Sequence, residues 1–424
     1  MQDGIIKGTG NSRYLKSIAD FLTQYPTYND FAAALAAGTL PIDLNGINET
    51  GWDQLGTALN KANLLSDETA QIISFPSSIP EHMPAISDIP NPSWTCCAYG
   101  AGKFVAFVSA LSVYPILCRS AYSENGKDWI VQNNLSNEFI ALDVCFEGGK
   151  FVAVGYDRST FSKIMYSTDG ISWTAANVPQ LQNLRLSHVA FGNGKFVAIA
   201  GYKRAVNAYV TSNLCLYSED GISWSQTTLP QNVVWGGLAY GNGKFVAVSL
   251  SSTSSPSARS SIAAYSSDGV SWTQATLPEL AGWSGICYGE SKFIAISSVP
   301  PAPDSGDSSL FAYSSDGINW EAGYFPASAV WDNIFFADGK FIVTAQEQIY
   351  LYSLDDGDTW FAGVPYEAYT VDFAYGNSLY MILASDGALT VLEFPAPPTT
   401  PNEAIYALAK SLADVSAAIL ALTV

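Results

Sequence analysis

The chain has 424 residues, of which 48% are hydrophobic and 13% charged, so there is ample material for a core and too little charge for a disordered polymer. Nineteen Lys and Arg against 38 Asp and Glu leave a net charge of −19, which argues against a nucleic-acid surface, since that needs a basic stripe. No apolar run reaches the roughly 18 residues of a membrane span, and the opening "MQDGIIKGTG" lacks the charged-then-apolar layout of a signal peptide, so neither membrane insertion nor secretion is expected.

Residues 1–75 read as a small α-rich segment. "SRYLKSIADFLTQYP" and "TYNDFAAALAAG" have the texture of short helices, the second with Thr27 or Asn29 near its start and Gly38 at its stop. The phrases "GTGNSRYLKS", "DFAAALAAGTLPIDLNGINETGW" and "GTALNKANLLSDETA" resemble the N-terminal attachment segments of tailed-phage tail and fibre proteins. That resemblance implies a virion protein, made in the host cytoplasm and acting outside the cell, whose residues 1–75 dock onto other virion tail proteins. A small helical cap packed on the following domain is the alternative.

Residues 76–396 are repetitive. An aromatic-Gly-x-Gly-Lys-Phe unit recurs with its lysine at 103, 150, 195, 244, 292 and 340, and a degenerate seventh copy has Leu379 there. Spacings of 45–49 residues between those lysines mark a solenoid, propeller or array. Within each period, apolar or alternating runs flank an Asn-Gly-type pair that demands positive φ, and a second turn, Ser-x-Asp-Gly, sits before a Trp. Four short strands per period, here lettered a to d, with no helix between them, predict a β-propeller blade.

The second turn comprises Asp169, Asp220, Asp268, Asp316 and Asp355, each followed by its Trp (173, 224, 272, 320 and 360); the first copy has Asn125 and Trp129. "SLDDGDTW" (Ser353, Asp355, Gly357, Thr359, Trp360) resembles the Asp-box of sialidase-like propellers in full, and the other copies are one residue shorter. The resemblance implies architecture: the Asp carboxylate accepts backbone N–H groups in the turn, and Trp129, Trp173, Trp224, Trp272, Trp320 and Trp360 wedge between blades. These residues are structural in such propellers.

The fold expected is therefore mainly β, a seven-bladed β-propeller of four-stranded blades flanked by the N-terminal α-rich segment and a C-terminal helix. The seventh copy lacks its outer strand, and "PAISDIP" at 84–90 has the spacing from Tyr99 to supply it. A six-bladed ring with a separate hairpin is the alternative. After the Pro-rich linker, residues 397–424 carry Ile405, Leu408, Leu412, Val415, Ile419 and Leu422 at heptad spacing, a seam for a helix that trimerises or docks on its own chain.

The a–b and c–d turns are monotonous, whereas the b–c connections vary widely, from "SALSVYPILCR" to "SSVPPAPDSGDSSLF". Constant scaffold with variable loops on one face is how recognition surfaces are built. Near those loops lie Trp94, Trp235, Trp283 and Trp331, which either stack on sugar rings or plug the hub, together with Arg119, Arg158, Arg185, Arg204 and Arg259, which either bind acidic sugars or wall phosphates or brace their own loops. The six cysteines form no CxxC pair, and they read as small buried strand residues. No Ser-His-Asp set, P-loop, metal-ligand cluster or Tyr/Glu pair is present in the sequence, so catalysis, a metal and a cofactor are not expected. The expected function is that of a non-enzymatic phage tail adhesin for a host-surface glycan or cell-wall polymer. A structural virion protein of the baseplate or head is the alternative, and a glycan hydrolase a third.

Overall fold

The computed structural model describes residues 77–82 and 93–393, less 111–116, 134, 136–138, 158–161, 180, 182–183, 202–210, 254–257, 301–306, 347–348, 363–369 and 385–387. All of these but Ser77 belong to a compact unit, Ser78–Glu393, that is mainly β, with no helix among the described residues. The expected N-terminal helices and the C-terminal seam Ile405–Leu422 lie outside them.

Every repeat folds as the texture dictates. Its a strand turns back into b, b pairs antiparallel with c, and in repeats 1 to 6 c pairs antiparallel with d. Repeats 1, 2, 6 and 7 give four-stranded sheets, and repeats 3 to 5 share one ten-stranded sheet. The sharing arises because strand d of one repeat runs without a break into strand a of the next, over Ser225–Gly241 and Thr273–Tyr288. The seven a segments lie in Ser93–Gly100, Ile140–Glu147, Leu186–Gly192, Ser225–Gly241, Thr273–Tyr288, Trp331–Ala337 and Thr370–Gly376. Each packs beside the next, and that of repeat 7 beside that of repeat 1.

The a–b turn explains the recurring Asn-Gly. Asn193 and Gly194 both have positive φ, 46° and 72°, the pair of left-handed residues that a tight hairpin matching the sheet twist requires. The glycine after each aromatic has a different cause. A methyl on Gly241 would lie inside the ring of Tyr288 in the next repeat, and one on Gly376 inside the ring of Tyr99. The aromatic-Gly pair is thus half of an inter-repeat joint, completed by the aromatic of its neighbour.

Further bonds tie several a–b turns to the Ser-x-Asp turn of the following repeat. Asn193 Nδ2 donates to Ser267 O (3.1 Å) and Asn242 Nδ2 to Ser315 O (2.9 Å). Repeat 7 treats repeat 1 in the same way, with Asn377 Nδ2 donating to Glu124 O at 2.8 Å and Tyr99 OH to Asn377 Oδ1 at 2.7 Å. Between the sheets lie apolar clusters, one of which joins Trp94, Phe104 and Val108 of repeat 1 to Val371, Met381 and Leu383 of repeat 7.

The strand that completes the sheet of repeat 7 corrects one expectation. It is Ser77–His82, lying next to Ala388–Glu393, whereas 84–90 falls outside the described residues. The spacing of ten to twelve residues from Pro to the next aromatic belongs to repeats in which d continues directly into a. Where the fourth strand comes from the other end of the repeat array, that continuity is not imposed and the spacing relaxes. "SSIP" at 77–80 matches the "TTLP" and "ATLP" of other d strands, and is the signal that locates it.

Candidate functional site

At one end of the sheets sit the turns, and their chemistry is structural. Asp268 Oδ1 accepts the backbone N–H groups of Val270 (2.8 Å) and Ser271 (2.7 Å) and the hydroxyl of Ser266 (2.9 Å). Asp169, Asp220 and Asp316 repeat this pattern, and Asp355 accepts from Thr359 N and Ser353 Oγ. Partial burial alone would raise the Asp268 and Asp316 carboxyls, but these donors outweigh it and hold both at about 2. In Asp220 the N–H groups of Ser223 and Ile222 dominate and lower it. Asn125 accepts the same bonds from Lys127 and Asp128 without the charge. The adjoining indoles divide between bracing the turn and filling the space between sheets. Trp129, Trp224 and Trp360 donate to the Gly carbonyl three residues back. Trp173 packs on Phe107 of repeat 1 at 4.8 Å, Trp320 flanks the cluster shared by repeats 4 and 5, and Trp272 that shared by repeats 3 and 4.

The other end of the sheets carries the b–c connections. Here the four tryptophans do not offer stacking faces. Trp94, Trp235, Trp283 and Trp331 are at most 1% exposed, packed among the strands of two adjoining repeats. Two of the indoles reach the preceding repeat, where Trp235 Nε1 donates to Ser212 O (2.9 Å) and Trp331 Nε1 to Ser308 O (2.6 Å), the carbonyls that open strand c. Trp283 Nε1 donates to Glu279 O at 3.3 Å. Of the two roles expected for these residues, packing is the one their burial supports, and Trp235 and Trp331 also hold the ends of the connections of repeats 3 and 5. Beside the four tryptophans, and at the equivalent places in repeats 2, 3 and 7, strand a is irregular, with register shifts at Trp94/Cys96, Ala141/Asp143, Leu186/His188, Trp235/Gly237, Trp283/Gly285, Trp331/Asn333 and Thr370/Asp372. Bulges of this kind re-aim side chains.

Fold neighbours are found among solved structures. Virginiamycin B lyase from Staphylococcus aureus, both selenomethionine-substituted and as a catalytically inactive histidine-to-alanine variant with quinupristin, aligns over 75% of this chain and 100% of its own, with a TM-score of 0.59 and 9% identity. YCF48 bound to D1 peptide aligns over 76% of this chain and 98% of its own (TM-score 0.53, 14% identity), and YCF48 from Cyanidioschyzon merolae over 74% and 98% (0.51, 12%). The fold is that of β-propeller proteins. At such identities the likeness carries the fold alone. No family model matches the sequence, and no curated protein does.

Of the five arginines, three are described. Arg119 is buried and its Nη1 donates to Cys118 O (2.9 Å). Arg185 lies over the ring of Tyr156, 4.5 Å from its centroid. Arg259 donates to Pro300 O of the next repeat. Arg158 and Arg204 lie outside the described residues. Sequence reasoning overlooked Tyr156 and the inner carboxylates. Asp143 Oδ2 accepts Val189 N and Asp372 Oδ2 accepts Cys97 N, both at 2.9 Å and both across a repeat boundary. Acids inside the apolar runs "IALDVCFE" and "YTVDFAYG" were the available signal.

Thiol chemistry is suppressed. Burial pushes Cys118 up to about 12 and raises Cys145, Cys215 and Cys287 above the ordinary thiol range, so these remain protonated at neutral pH. Among the described residues no group of three or more His, Cys, Asp or Glu is placed to hold a metal ion.

Proposed function

We propose that this protein is a non-enzymatic adhesin of a phage or phage-like particle, binding a host-surface glycan or cell-wall polymer through the end of a β-propeller that carries the b–c connections. Its seven repeats act as seven four-stranded blades. Residues 1–75 attach it to other tail proteins, and the C-terminal heptad segment trimerises or docks.

One observation carries the reading. The two ends of the sheets are treated differently: at the turn end the same bonds recur in several repeats, while at the other end the connections differ in length and sequence, two of them anchored by buried indoles. A framework that spends its repetition on rigidity and its variation on one edge is suited to recognition.

The test is binding of the full chain to host-cell envelopes, beside a variant in which 202–210 is replaced by Gly and Ser. Saturable binding that the loop replacement abolishes, with the far-UV spectrum unchanged, is the expected result. A folded, full-length chain that ignores envelopes but is retained by purified virion proteins would favour the structural role in baseplate or head. Release of fragments from a labelled glycan would overturn the non-enzymatic reading.

A further inference from the structure

We propose that Asn193 and Asn242 are sites of spontaneous deamidation, and that this covalent change loosens the joints between repeats 3 and 4 and between repeats 4 and 5. The chemistry is independent of any ligand, so it and the adhesin reading stand or fall separately.

The fold itself demands the reactive pair. Gly192 with Lys195, and Gly241 with Lys244, are the last pairs of their a–b ladders, which leaves two residues for each turn. Those residues have φ of 46° and 72° in repeat 3 and of 42° and 72° in repeat 4. Asn followed by Gly adopts such a left-handed pair at least cost. The same dipeptide is where a side-chain amide is hydrolysed most readily, because glycine leaves the following backbone nitrogen unshielded. All four residues are exposed, and a β-carbon on Gly194 or Gly243 would meet nothing within 4 Å.

The reaction needs only water and base. Once the turn opens, base removes the Gly194 N–H proton and the nitrogen attacks Asn193 Cγ. A nitrogen–carbon bond forms, the Cγ–Nδ2 bond breaks, and ammonia leaves carrying the proton. Water then opens the cyclic imide at either carbonyl, to give aspartate or isoaspartate.

The structure distinguishes between like dipeptides. Asn125–Gly126 is the third described Asn-Gly pair, but Asn125 Oδ1 accepts Ser123 Oγ (3.1 Å), Lys127 N (2.9 Å) and Asp128 N (2.8 Å), its Nδ2 donates to Asp128 Oδ2 (2.8 Å), and Gly126 is buried. Those bonds hold its amide away from the attacking nitrogen. Asn377 joins repeat 7 to repeat 1 as Asn193 and Asn242 join their neighbours, yet Ser378 follows it at φ 62°, a conformation that suits glycine better. The serine side chain shields the nitrogen, and Tyr99 OH donates to Asn377 Oδ1 at 2.7 Å. The joint that closes the array therefore carries the less reactive pair.

Repeat 6 displays the product. Asp338 and Gly339 occupy the same turn with φ of 48° and 71°. A carboxylate has no N–H to offer the next repeat, and Asp338 Oδ2 instead takes Lys340 Nζ at 3.0 Å. Lys195 and Lys244 stand at that same place, two residues beyond Asn193 and Asn242. An aspartate at 193 would turn to Lys195, and Ser267 O would lose the N–H that Asn193 gives it at 3.1 Å. Ser315 O would likewise lose the donor it has in Asn242 at 2.9 Å. Isoaspartate would go further, adding a backbone carbon to a two-residue turn.

The experiment incubates the full chain at pH 7 and pH 9, beside a sample unfolded in urea. Peptide mass spectrometry locates each amide turned to an acid, and isoaspartyl methyltransferase labels the rearranged product. In the folded chain Asn193 and Asn242 should convert several-fold faster than Asn125 and Asn377, and faster at pH 9 than at pH 7. In urea Asn125 should draw level with them, since its protection is structural. N193D and N242D mimic the product, and each should raise the unfolding equilibrium constant by about two- to tenfold, the value of one hydrogen bond. Aged wild type, measured in the same way, supplies that comparison if a variant does not fold. Asn193 and Asn242 intact in the folded chain while both convert in urea would overturn the assignment. So would folded Asn125 reacting as fast as they do. Unchanged stability after full conversion would overturn the loosening of the joints.

Discussion

Trp331 offers the sharpest test of what the four tryptophans do. Its ring is fully buried and packs on Phe325, with centroids 4.9 Å apart, and its N–H meets Ser308 O at 2.6 Å. Replacing it with Phe keeps an aromatic ring but strands that carbonyl, at a cost of about 1–3 kcal/mol. The lost ring atoms add about 1 kcal/mol at roughly 0.8 kcal/mol per buried methylene equivalent. Trp331→Phe should therefore cost about 2–4 kcal/mol, and Trp331→Ala about 3–5 kcal/mol or more as a cavity opens. The N–H of Trp235 has a comparable bond at 2.9 Å, whereas that of Trp283 reaches Glu279 O only at 3.3 Å, so Trp283→Phe should be the mildest of the three. Urea denaturation followed by far-UV circular dichroism measures these differences, provided the slopes agree with wild type. A Trp331→Phe variant within about 0.5 kcal/mol of wild type would refute the clamp. So would a variant of unchanged stability that had lost envelope binding, because that is the behaviour of a stacking platform.

Gly376→Ala should be costly out of proportion to one methyl, since the new atom would occupy the Tyr99 ring. Overpacking of about 1–3 kcal/mol is the expected scale, seen as a lowered urea midpoint, and a neutral effect would contradict the joint between repeats 7 and 1. The turn aspartates predict acid lability: their folded pKa values are depressed, so their contribution is complete above the ordinary Asp value of about 4 and is lost as pH falls toward the value of about 2 held by Asp268 and Asp316. Stability measured between pH 5 and pH 2 should fall across that window, and a flat profile would deny the shifts. Asn125→Asp should not stabilise the protein at neutral pH, because Asn125 Nδ2 donates to Asp128 Oδ2 at 2.8 Å and a carboxylate there would repel it; a raised midpoint would refute this. Cys118 and Cys215, buried and protonated, should resist iodoacetamide at pH 8 until the chain is unfolded, and rapid labelling of the native protein would contradict their burial.

The repeat was legible because the same physical demand recurs in each copy. A two-residue hairpin needs positive φ, an Asp turn needs a short carboxylate, and a strand between two sheets needs apolar residues on both faces; each demand leaves the same letters behind. What escaped the sequence were features with one instance or with partners far apart. Ser77–His82 is used once, and its "SSIP" is visible only when set beside the d strands it imitates. The burial of Trp235 and Trp331 was undecidable from the chain, because an indole suits a sugar platform and an inter-sheet clamp equally well; the deciding partners, Ser212 O and Ser308 O, are backbone atoms that any sequence possesses. Tyr156 was overlooked for a related reason. It becomes notable only through Arg185, 29 positions away and in the next repeat.

The same asymmetry bears on where function resides. Joints at the turn end are made between neighbours and repeat from one pair to the next, down to Asn377 and Glu124, which join the last repeat to the first. A change in one a–b turn therefore disturbs the repeat after it, and the turn end tolerates little variation. The connections at the other end are under less obligation: those of repeats 3 and 5 end where Trp235 and Trp331 bond main-chain carbonyls, which are indifferent to the side chains around them. Sequence is free to change there without cost to the framework.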